Sequence, residues 1–293
     1  MLTLHNADSF AQWRSTVGDE PIAVVMTMGA LHDGHVALIN AARGYLRQQY
    51  DGRGYVVVTI FVNPTQFDEA TDFNNYPRTL DDDVQKCESS GADIVFAPLV
   101  HDVYPEGIDH VQRLTPSQHA DVLDGPLRPG HFSGVITVVA RLFDLVQPTA
   151  AFFGEKDYQQ LVVIKDLAAM QSREIDVVGV ETVRESDGLA HSSRNKNLSL
   201  TGRALAKHIP AVLALVRHLL AEGHQLEDCV GEGIRYLATQ PGIELEYLEV
   251  RALDLDPVIT AGPARLFVAI TIGDVRLIDN IEVEVGEENV ARH

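Results

Sequence analysis

Two histidines three residues apart are the first candidates for chemistry in this sequence. His32 and His35 lie in the segment Met28-Gly29-Ala30-Leu31-His32-Asp33-Gly34-His35. Two imidazoles at this spacing can contact one anion, and Gly29 and Gly34 keep the loop free of Cβ atoms, so that a nucleotide can lie close to the backbone. The segment therefore predicts a phosphate-binding loop. The alternative is that His32 is a loop residue and His35 a helix cap, and the pair alone does not decide between the two.

The segments on either side of this loop indicate how it is held. Residues 22–26 form a short apolar run without polar alternation, which predicts a strand buried on both faces of a parallel sheet. After Gly34 the apolar residues recur every three or four positions, at Val36, Ile39, Ala42 and Leu46. This period predicts a helix that begins near His35. The N-terminus of such a helix offers unpaired backbone N–H groups and a positive dipole end, and phosphate is the expected ligand.

Composition limits the partners and the compartment. The 293 residues include 23 Lys and Arg against 42 Asp and Glu, a net charge of −19, so we expect neither tRNA nor another nucleic acid to bind. Cys87 and Cys229 lack the spacing of a zinc site or a disulfide framework, which suits a reducing cytoplasm. Residues 1–6 do not resemble a signal peptide, and no uninterrupted stretch approaches the length of a membrane span. We expect a cytoplasmic protein with no membrane partner.

Strands and helices alternate over the first part of the chain. Further apolar runs that predict strands lie at residues 55–62, 92–98, 151–153 and 175–183. The alternation predicts an α/β fold with a Rossmann-like, doubly wound parallel sheet in residues 1–181. Residues 182–293 are expected to form a smaller C-terminal α/β domain that closes over the active site. Its predicted helices lie near 203–221 and 226–238, and its predicted strands near 245–251, 265–271 and 275–283.

Polar groups follow two of the predicted elements early in the chain. Pro64 ends the second strand, and the neutral side chains of Asn63 and Gln66 lie in the loop after it, where such sheets bind ligands. They could equally be turn residues. The run Asp81-Asp82-Asp83 could hold the Mg²⁺ that accompanies a nucleoside triphosphate. The favoured interpretation of this run is helix capping, because the dipole at a helix start favours acidic residues.

Three later loops also carry candidates. Gly154-Glu155-Lys156-Asp157 follows the fourth strand, where Asp157 and Gln160 have capping-box spacing. A cation such as Lys156 opposes the dipole at a helix start, which indicates an anion shared with it. His191-Ser192-Ser193-Arg194-Asn195 suits a mobile phosphate clamp, although these are also common loop residues. Arg128 and His131, in a glycine-bounded loop, could face a ligand or solvent.

Four phrases together carry a family resemblance. Met28-Gly29-Ala30-Leu31-His32-Asp33-Gly34-His35, Phe61-Val62-Asn63-Pro64-Thr65-Gln66-Phe67, Phe153-Gly154-Glu155-Lys156-Asp157-Tyr158-Gln159-Gln160 and Ser192-Ser193-Arg194-Asn195 resemble, in this order, the pantothenate synthetases (pantoate–β-alanine ligases) of the HxGH nucleotidyltransferase superfamily. In that family ATP adenylates pantoate with release of pyrophosphate, and β-alanine then attacks the acyl adenylate to give pantothenate and AMP. The resemblance implies this AMP-forming ligase reaction of the coenzyme A pathway.

The resemblance also implies which residues form the site. His35 would donate a proton, His32 would lie beside it on the phosphates, and Lys156 would complete the catalytic group. Gln66 and Gln160, with Asn63, would bind the substrates pantoate and β-alanine. The implied ATP contacts are Thr27, Met28, Gly29, Ala30, Leu31, His32, Gly34, His35, Gly154, Glu155, Lys156, Asp157, Val183, His191, Ser192, Ser193 and Arg194.

The resemblance has one departure and leaves alternatives. The family usually has an apolar residue such as Met where this chain has His191. ATP is the implied co-substrate, Mg²⁺ accompanies it with unknown ligands, and a homodimer is expected by analogy. The same fold could instead transfer nucleotides to a phosphorylated acceptor, which would call for a cationic pocket beyond Lys156 and Arg194. A non-catalytic nucleotide-binding module is a third alternative.

Overall fold

The computed structural model describes residues 1–67, 73–74, 76–257 and 259–290. The chain divides into two compact units. The larger unit consists of Met1–Glu155 and Gln159–Glu181, and the smaller one of Lys156–Tyr158 and Thr182–His293. The sequence pattern predicts that Lys156–Tyr158 belongs to the larger domain, whereas the structure groups this segment with the C-terminal part of the chain.

The larger unit is built on a six-stranded sheet. Its strands are β1 (Leu2–Leu4), β2 (Ile22–Thr27), β3 (Tyr55–Ile60), β4 (Ile94–Phe96), β5 (Ala150–Gly154) and β6 (Asp176–Val180). They lie in the order β1-β4-β3-β2-β5-β6, and each neighbouring pair is parallel. The predicted parallel α/β fold is therefore confirmed.

Helices connect these strands. They are α1 (Ala7–Val17), α2 (Asp33–Tyr50), α3 (Leu80–Ser89), α4 (Val100–Val103), α5 (Asp124–Leu127), α6 (His131–Val146) and α7 (Tyr158–Met170). Short 3₁₀ turns at Pro64–Gln66 and Glu155–Asp157 follow β3 and β5. Helix α6 is largely apolar and mostly buried.

The core lies where the central strands meet their helices. Val24 of β2 and Val57 of β3 are paired in register and fully buried. The stripe predicted on α2 packs in the same core as Val25, through residues that include Ile39 and Leu46. A strand buried on both faces needs no polar alternation, which explains why β2 and β3 are continuous apolar runs.

The structure moves several predicted boundaries. β3 ends at Ile60 instead of residue 62, and the run 92–98 contributes only Ile94–Phe96. The sequence analysis missed β1, because Leu2–Leu4 is three residues long and only partly buried. Helix α2 begins at Asp33, slightly earlier than expected, because His32 is its N-cap.

The smaller unit carries a second sheet. Its antiparallel strands β7 (Glu244–Ala252), β8 (Gly262–Ile272) and β9 (Val275–Val285) lie in the order β7-β8-β9. The helix predicted near 203–221 is divided into α8 (Leu200–Leu205) and α9 (His208–Ala221), and α10 (Leu226–Ala238) follows. Closure of this unit over an active site stays a prediction.

Within the part of the chain that the structure describes, one helical segment has the length and composition of a membrane span. Leu200–Ala221 passes this test, although the sequence analysis expected no such stretch. The segment contributes Ile209, Val212, Val216 and Leu220 to the apolar core of the smaller unit. Packing of this face against the sheet therefore explains its apolar composition.

Candidate functional site

The loops predicted to bind ligands begin at adjacent strands. In the sheet β2 lies between β3 and β5, with Thr27 opposite Ile60 and Val25 opposite Phe152. The carboxyl ends of parallel strands share one edge, so the loops that begin after these strands start side by side. The chain adds β3 and β4 on one side of β2 and β5 on the other, and such a switch point is where open α/β sheets bind ligands.

The phosphate loop has a backbone that few side chains tolerate. Gly29 has φ +85° and Ala30 has φ +52°, both in the left-handed region. A Cβ on Gly29 would lie 3.1 Å from Oδ2 of Asp83. The hydroxyl of Thr27 accepts a hydrogen bond from the Gly29 N–H at 3.2 Å and donates to the carbonyl of Thr59 at 2.8 Å. The end of β2 thus fixes the first turn of the loop.

Asp83 holds the next turn of the loop. Its carboxylate accepts hydrogen bonds from the N–H groups of Ala30 at 2.9 Å and Leu31 at 2.7 Å, and from the hydroxyl of Thr79 at 3.1 Å. Lys86, one helical turn further along α3, donates to the carbonyl of Leu31 at 2.8 Å. This role of Asp83 is not predicted from the sequence. Its spacing of four residues from the buried Cys87 marks the apolar face of the helix, and this pattern could have singled it out from Asp81 and Asp82.

His32 and His35 cap helix α2 reciprocally. Nδ1 of His32 accepts from the Gly34 N–H, and Nδ1 of His35 accepts from the His32 N–H, each at 3.2 Å. A neutral ring whose Nδ1 is an acceptor carries its proton on Nε2. A Cβ on Gly34 would lie 2.9 Å from Cε1 of His32, so a side chain at position 34 would displace this ring from its capping position. Both histidines therefore cap the helix through Nδ1, as the capping alternative predicts. In the neutral ring this contact makes Nε2 of each histidine a donor.

Asn63 organises the loop after β3. It is 1% exposed. Its Oδ1 accepts from the Thr65 N–H and hydroxyl and, at 2.8 Å, from the hydroxyl of Tyr104. Its Nδ2 donates to Oε1 of Gln66 at 3.1 Å and to the Gly134 carbonyl at 3.3 Å. Both hydrogens of the amide are therefore used within the protein, and Asn63 orients the side chain of Gln66.

Two residues of the glycine-bounded loop also support Gln66. Arg128 lies 3.0 Å from Nε2 of His131, whose Nδ1 lies 3.1 Å from the backbone carbonyl of Gln66. Since a guanidinium can only donate, Nε2 of His131 accepts and Nδ1 donates to the carbonyl. His131 is buried. The sequence does not decide whether Arg128 and His131 face a ligand or solvent. In the structure both residues are hydrogen-bonded towards the loop after β3.

Adjacent glutamines on helix α7 have different environments. Gln159 is buried, donates to the carbonyls of His119 and Val122, and accepts from the Asp124 N–H. Gln160 is half-buried and makes no side-chain hydrogen bond among the residues that the structure describes. Gln159 therefore fixes a neighbouring loop, whereas the amide of Gln160 is available for a ligand.

Neither cysteine is prepared to act as a nucleophile. Both thiols are buried. Burial, together with the charge of Asp83, raises the pKa of Cys87 to about 12. Burial also raises the pKa of Cys229. The thiolate is the reactive form of cysteine, so these side chains do not provide a covalent route.

Lys156 and the predicted phosphate clamp belong to the smaller unit. Nζ of Lys156 lies 3.6 Å from Oδ1 of Asp157. In the clamp, the His191 N–H donates to the Val183 carbonyl at 2.9 Å, and Ser192 caps the 3₁₀ turn Ser193–Asn197 by accepting from the N–H of its second residue, Arg194. The Arg194 side chain is exposed. Two hydroxyls and a guanidinium thus lie on one short turn.

Ion pairs at Arg203 hold the loop before the clamp. Arg203 donates to Glu185 and Asp187, each at 2.7 Å, and Asn195 donates to Glu185 at 2.7 Å. The hydrogen bond from Arg203 holds the pKa of Asp187 below its ordinary value. Burial acts to raise the pKa of Glu185, but the hydrogen bonds from Asn195 and Arg203 outweigh it and leave that pKa lowered as well. The loop is therefore organised by charged carboxylates.

A parallel α/β sheet with polar loops at its switch point is the architecture of an α/β enzyme that binds its ligand at that edge. Residues 3–282 match the family model described as pantoate-beta-alanine ligase. The chain belongs to this family.

Curated and solved relatives agree with this assignment. The chain is 46% identical over 281 residues to pantothenate synthetase from a Nocardioides strain, which covers 93% of this chain and 81% of that protein. The crystal structure of pantothenate synthetase from Thermus thermophilus superposes with a TM-score of 0.88 at 40% identity, over 97% of this chain and 100% of the other. The crystal structure of a Francisella tularensis pantoate-beta-alanine ligase, complexed with beta-gamma ATP and beta-alanine, superposes with a TM-score of 0.79 at 35% identity. The match covers 96% of this chain and 97% of the other.

Proposed function

We propose that the protein condenses pantoate with β-alanine at the expense of ATP, through a pantoyl adenylate. A carboxylate oxygen of pantoate attacks the α-phosphorus, the bond from that phosphorus to the bridging oxygen breaks, and pyrophosphate leaves. The amine nitrogen of β-alanine then attacks the acyl carbon, the carbon–oxygen bond to AMP breaks, and the ammonium proton is lost. Membership of the family and the relative complexed with beta-gamma ATP and beta-alanine support this reaction.

The paired histidines carry the proposal. Their Nδ1 atoms are occupied by backbone N–H groups, so each ring presents an Nε2–H donor at the N-terminus of α2. Negative charge grows on the α-phosphate and on the departing pyrophosphate, and preorganised donors stabilise charge that develops in the transition state. In this proposal His35 donates to the departing oxygen and His32 contacts the phosphates. The ammonium of Lys156 adds a positive charge to the same group.

Pantoate is assigned to the two amides. Asn63 donates a hydrogen bond to Oε1 of Gln66 and so orients its side chain, and Gln160 lies in the first turn of the helix after β5. Neutral amides bind hydroxyl and carboxyl oxygens without a full salt bridge, which leaves the pantoate carboxylate nucleophilic. Asn63 is assigned an orienting role, because its own amide hydrogens bind protein atoms.

ATP is assigned to four segments of the chain. The nucleotide contacts comprise residues 27–35, residues 154–157, the backbone of Val183 and residues 191–194. His191 contributes through its backbone in this assignment, because its N–H already helps to hold the loop. Homodimeric assembly and a cytoplasmic location belong to the same proposal and are supported by the family resemblance.

Mg²⁺ enters this proposal with ATP. No group of three or more His, Cys, Asp or Glu in the described part of the chain could hold a metal ion, and Asp83 already accepts three hydrogen bonds. Mg²⁺ usually keeps several waters and binds substrate phosphates with few protein ligands. We assign its coordination mainly to the triphosphate and water, where it would neutralise phosphate charge.

Isotope transfer tests the proposal directly. Pantoate labelled with ¹⁸O in its carboxylate should transfer one labelled oxygen to AMP, because the acyl–oxygen bond breaks in the second step. Without β-alanine, about one pyrophosphate should form per active site. ADP and inorganic phosphate as products, or unlabelled AMP, would contradict the acyl-adenylate route. A phosphorylated acceptor that replaces pantoate with equal efficiency would favour the alternative transferase.

A further inference from the structure

Strand β9 carries two adjacent polar residues whose side chains are buried. Asp279 is 2% exposed and Asn280 is 3% exposed. Successive side chains of a strand point to opposite faces, so each residue serves a different neighbour. Buried polar groups of this kind are costly unless they are hydrogen-bonded, and their partners indicate what they do.

Asn280 anchors the segment that carries Lys156. Its Nδ2 donates to the backbone carbonyl of Lys156 at 2.9 Å, and its Oδ1 accepts from Arg265 at 2.5 Å. The Arg265 guanidinium stacks on Tyr158, 3.9 Å from the ring centroid, and the Tyr158 hydroxyl donates to the carbonyl of Leu253 at 3.1 Å. Both ends of Lys156–Tyr158 are thereby fixed.

Asp279 anchors the loop that leads to the clamp. It accepts two hydrogen bonds from Arg184, at 2.7 and 3.0 Å, in a bidentate ion pair. Arg184 also donates to the Gly188 carbonyl at 3.0 Å and to the Asn280 carbonyl at 3.2 Å. A bidentate pair fixes orientation as well as distance. The start of the loop before residues 192–194 is thus fixed to the same strand.

We propose that Asp279 and Asn280 are positioning residues. From the same strand, Asn280 holds the segment that carries Lys156, and Asp279 holds the loop that leads to the clamp at residues 192–194. This inference rests on the proposed function, in which both segments contact the phosphates of ATP. The ion pair between Asp279 and Arg184 is weak evidence for a role in stability alone, because replacing a buried ion pair by apolar residues is often neutral or stabilising. Reaction rates, however, depend on holding the catalytic groups in their productive geometry.

The variant Asn280→Asp isolates the contact to Lys156. It keeps the size of the side chain and the acceptor for Arg265, but removes the donor to the Lys156 carbonyl. We expect kcat for pyrophosphate release to fall roughly 10- to 100-fold with little change in KM, and the melting temperature to fall as well, because the buried Lys156 carbonyl loses its donor. Glu284→Gln, an exposed carboxyl-to-amide exchange on the same strand, is the matched control and should retain wild-type kcat.

Combination with Lys156→Ala separates positioning from general damage. If Asn280 acts through Lys156, Asn280→Asp should cause no further loss in the Lys156→Ala background, because coupled residues are not additive. Multiplicative losses would overturn the inference. Asp279→Asn is the second variant: it should slow pyrophosphate release roughly tenfold and retain that effect in the Lys156→Ala background, because it acts through the clamp.

Different results would contradict the proposed function and the positioning role of Asp279 and Asn280. If the wild-type protein does not form AMP and pyrophosphate from ATP and its substrates, the proposed function is wrong. If it does, and folded Asn280→Asp and Asp279→Asn both react at the wild-type rate, only the positioning role is wrong.

Discussion

The Asp83 carboxylate accepts a hydrogen bond from the N–H of Leu31 at 2.7 Å, although 52 residues separate the two positions. It also accepts from the N–H of Ala30, whose φ of +52° is unfavourable for a residue with a Cβ. The conformation of the phosphate loop therefore depends on a buried side chain of helix α3.

Replacing Asp83 should disturb both stability and nucleotide use. Asp83→Asn places an amide donor against backbone N–H groups that need an acceptor, so we expect the free energy of unfolding to fall by about 2–3 kcal/mol. The KM for ATP should rise, because the loop loses its support. Urea unfolding and pyrophosphate release measure the two effects. Asp82→Asn, exposed in the same helical turn, should change stability by less than about 0.5 kcal/mol, and equal losses in both variants would contradict the prediction.

Two variants of His35 separate its capping from its chemistry. His35→Ala removes both, so we expect about 1 kcal/mol less stability and a hundred- to thousand-fold slower adenylation, the effect of losing one preorganised donor. Glutamine at this helix position can accept from the His32 N–H in the same way. His35→Gln should therefore restore the melting temperature without restoring the rate. Recovery of both would show that His35 only caps the helix.

Neighbouring glutamines provide a matched pair for substrate binding. Gln159→Ala leaves buried donors and acceptors without partners, and we expect a loss of about 2–3 kcal/mol in unfolding free energy. Gln160→Ala should leave stability within about 0.5 kcal/mol and raise the KM for pantoate roughly three- to tenfold, the effect of one neutral hydrogen bond. Denaturation and steady-state kinetics test this contrast. A pantoate KM unchanged in Gln160→Ala would remove that residue from the pantoate site.

Arg203 should make stability depend on pH in the acid range. Its partners Glu185 and Asp187 have pKa values below their ordinary 4.5 and 3.8. A lowered carboxyl pKa gives stabilisation that is present above the ordinary value and is lost as the pH falls through the folded-state value. Arg203→Gln should thus destabilise the protein at pH 7 and progressively less below about pH 4.

Urea unfolding of both proteins between pH 3 and 7 is the measurement. Arg235→Gln, which removes an exposed pair with Glu232, is the control and should give a small difference at any pH. A wild-type advantage over Arg203→Gln that stays constant down to pH 3 would show that the ion pair does not contribute through its charge.

Sequence patterns predicted the elements better than the contacts between them. The apolar runs of β2 and β3 are visible because strands buried on both faces lack the alternation of polar and apolar residues. The donors at His32 and His35 could be located because a glycine loop before a helix is a local signal. The role of Asp83 in the loop is not local: the two backbone N–H groups that it binds there lie more than 50 residues earlier, and a carboxylate in the first turn of a helix already has a sufficient local explanation.

Distance along the chain also explains why the anchor of the Lys156 segment is not predictable from the sequence. Its position after β5 indicated a shared anion, but its anchor Asn280 lies 124 residues further along the chain. Nothing in the period of β9 distinguishes Asn280 from a polar residue on an exposed face. Long-range polar pairs of this kind emerge only when the fold brings their strands together.

The grouping of Lys156–Tyr158 with the C-terminal unit has a consequence for the covalent architecture. The chain leaves the larger unit after Glu155, returns at Gln159 and leaves again after Glu181. A nick between residues 181 and 182 would therefore leave parts of the smaller unit on both fragments, with Asn280 on one and the Lys156 carbonyl on the other. The first fragment would hold all of the larger unit, and its segment Lys156–Tyr158 is expected to keep the two fragments associated, because that segment belongs to the unit carried by the second fragment.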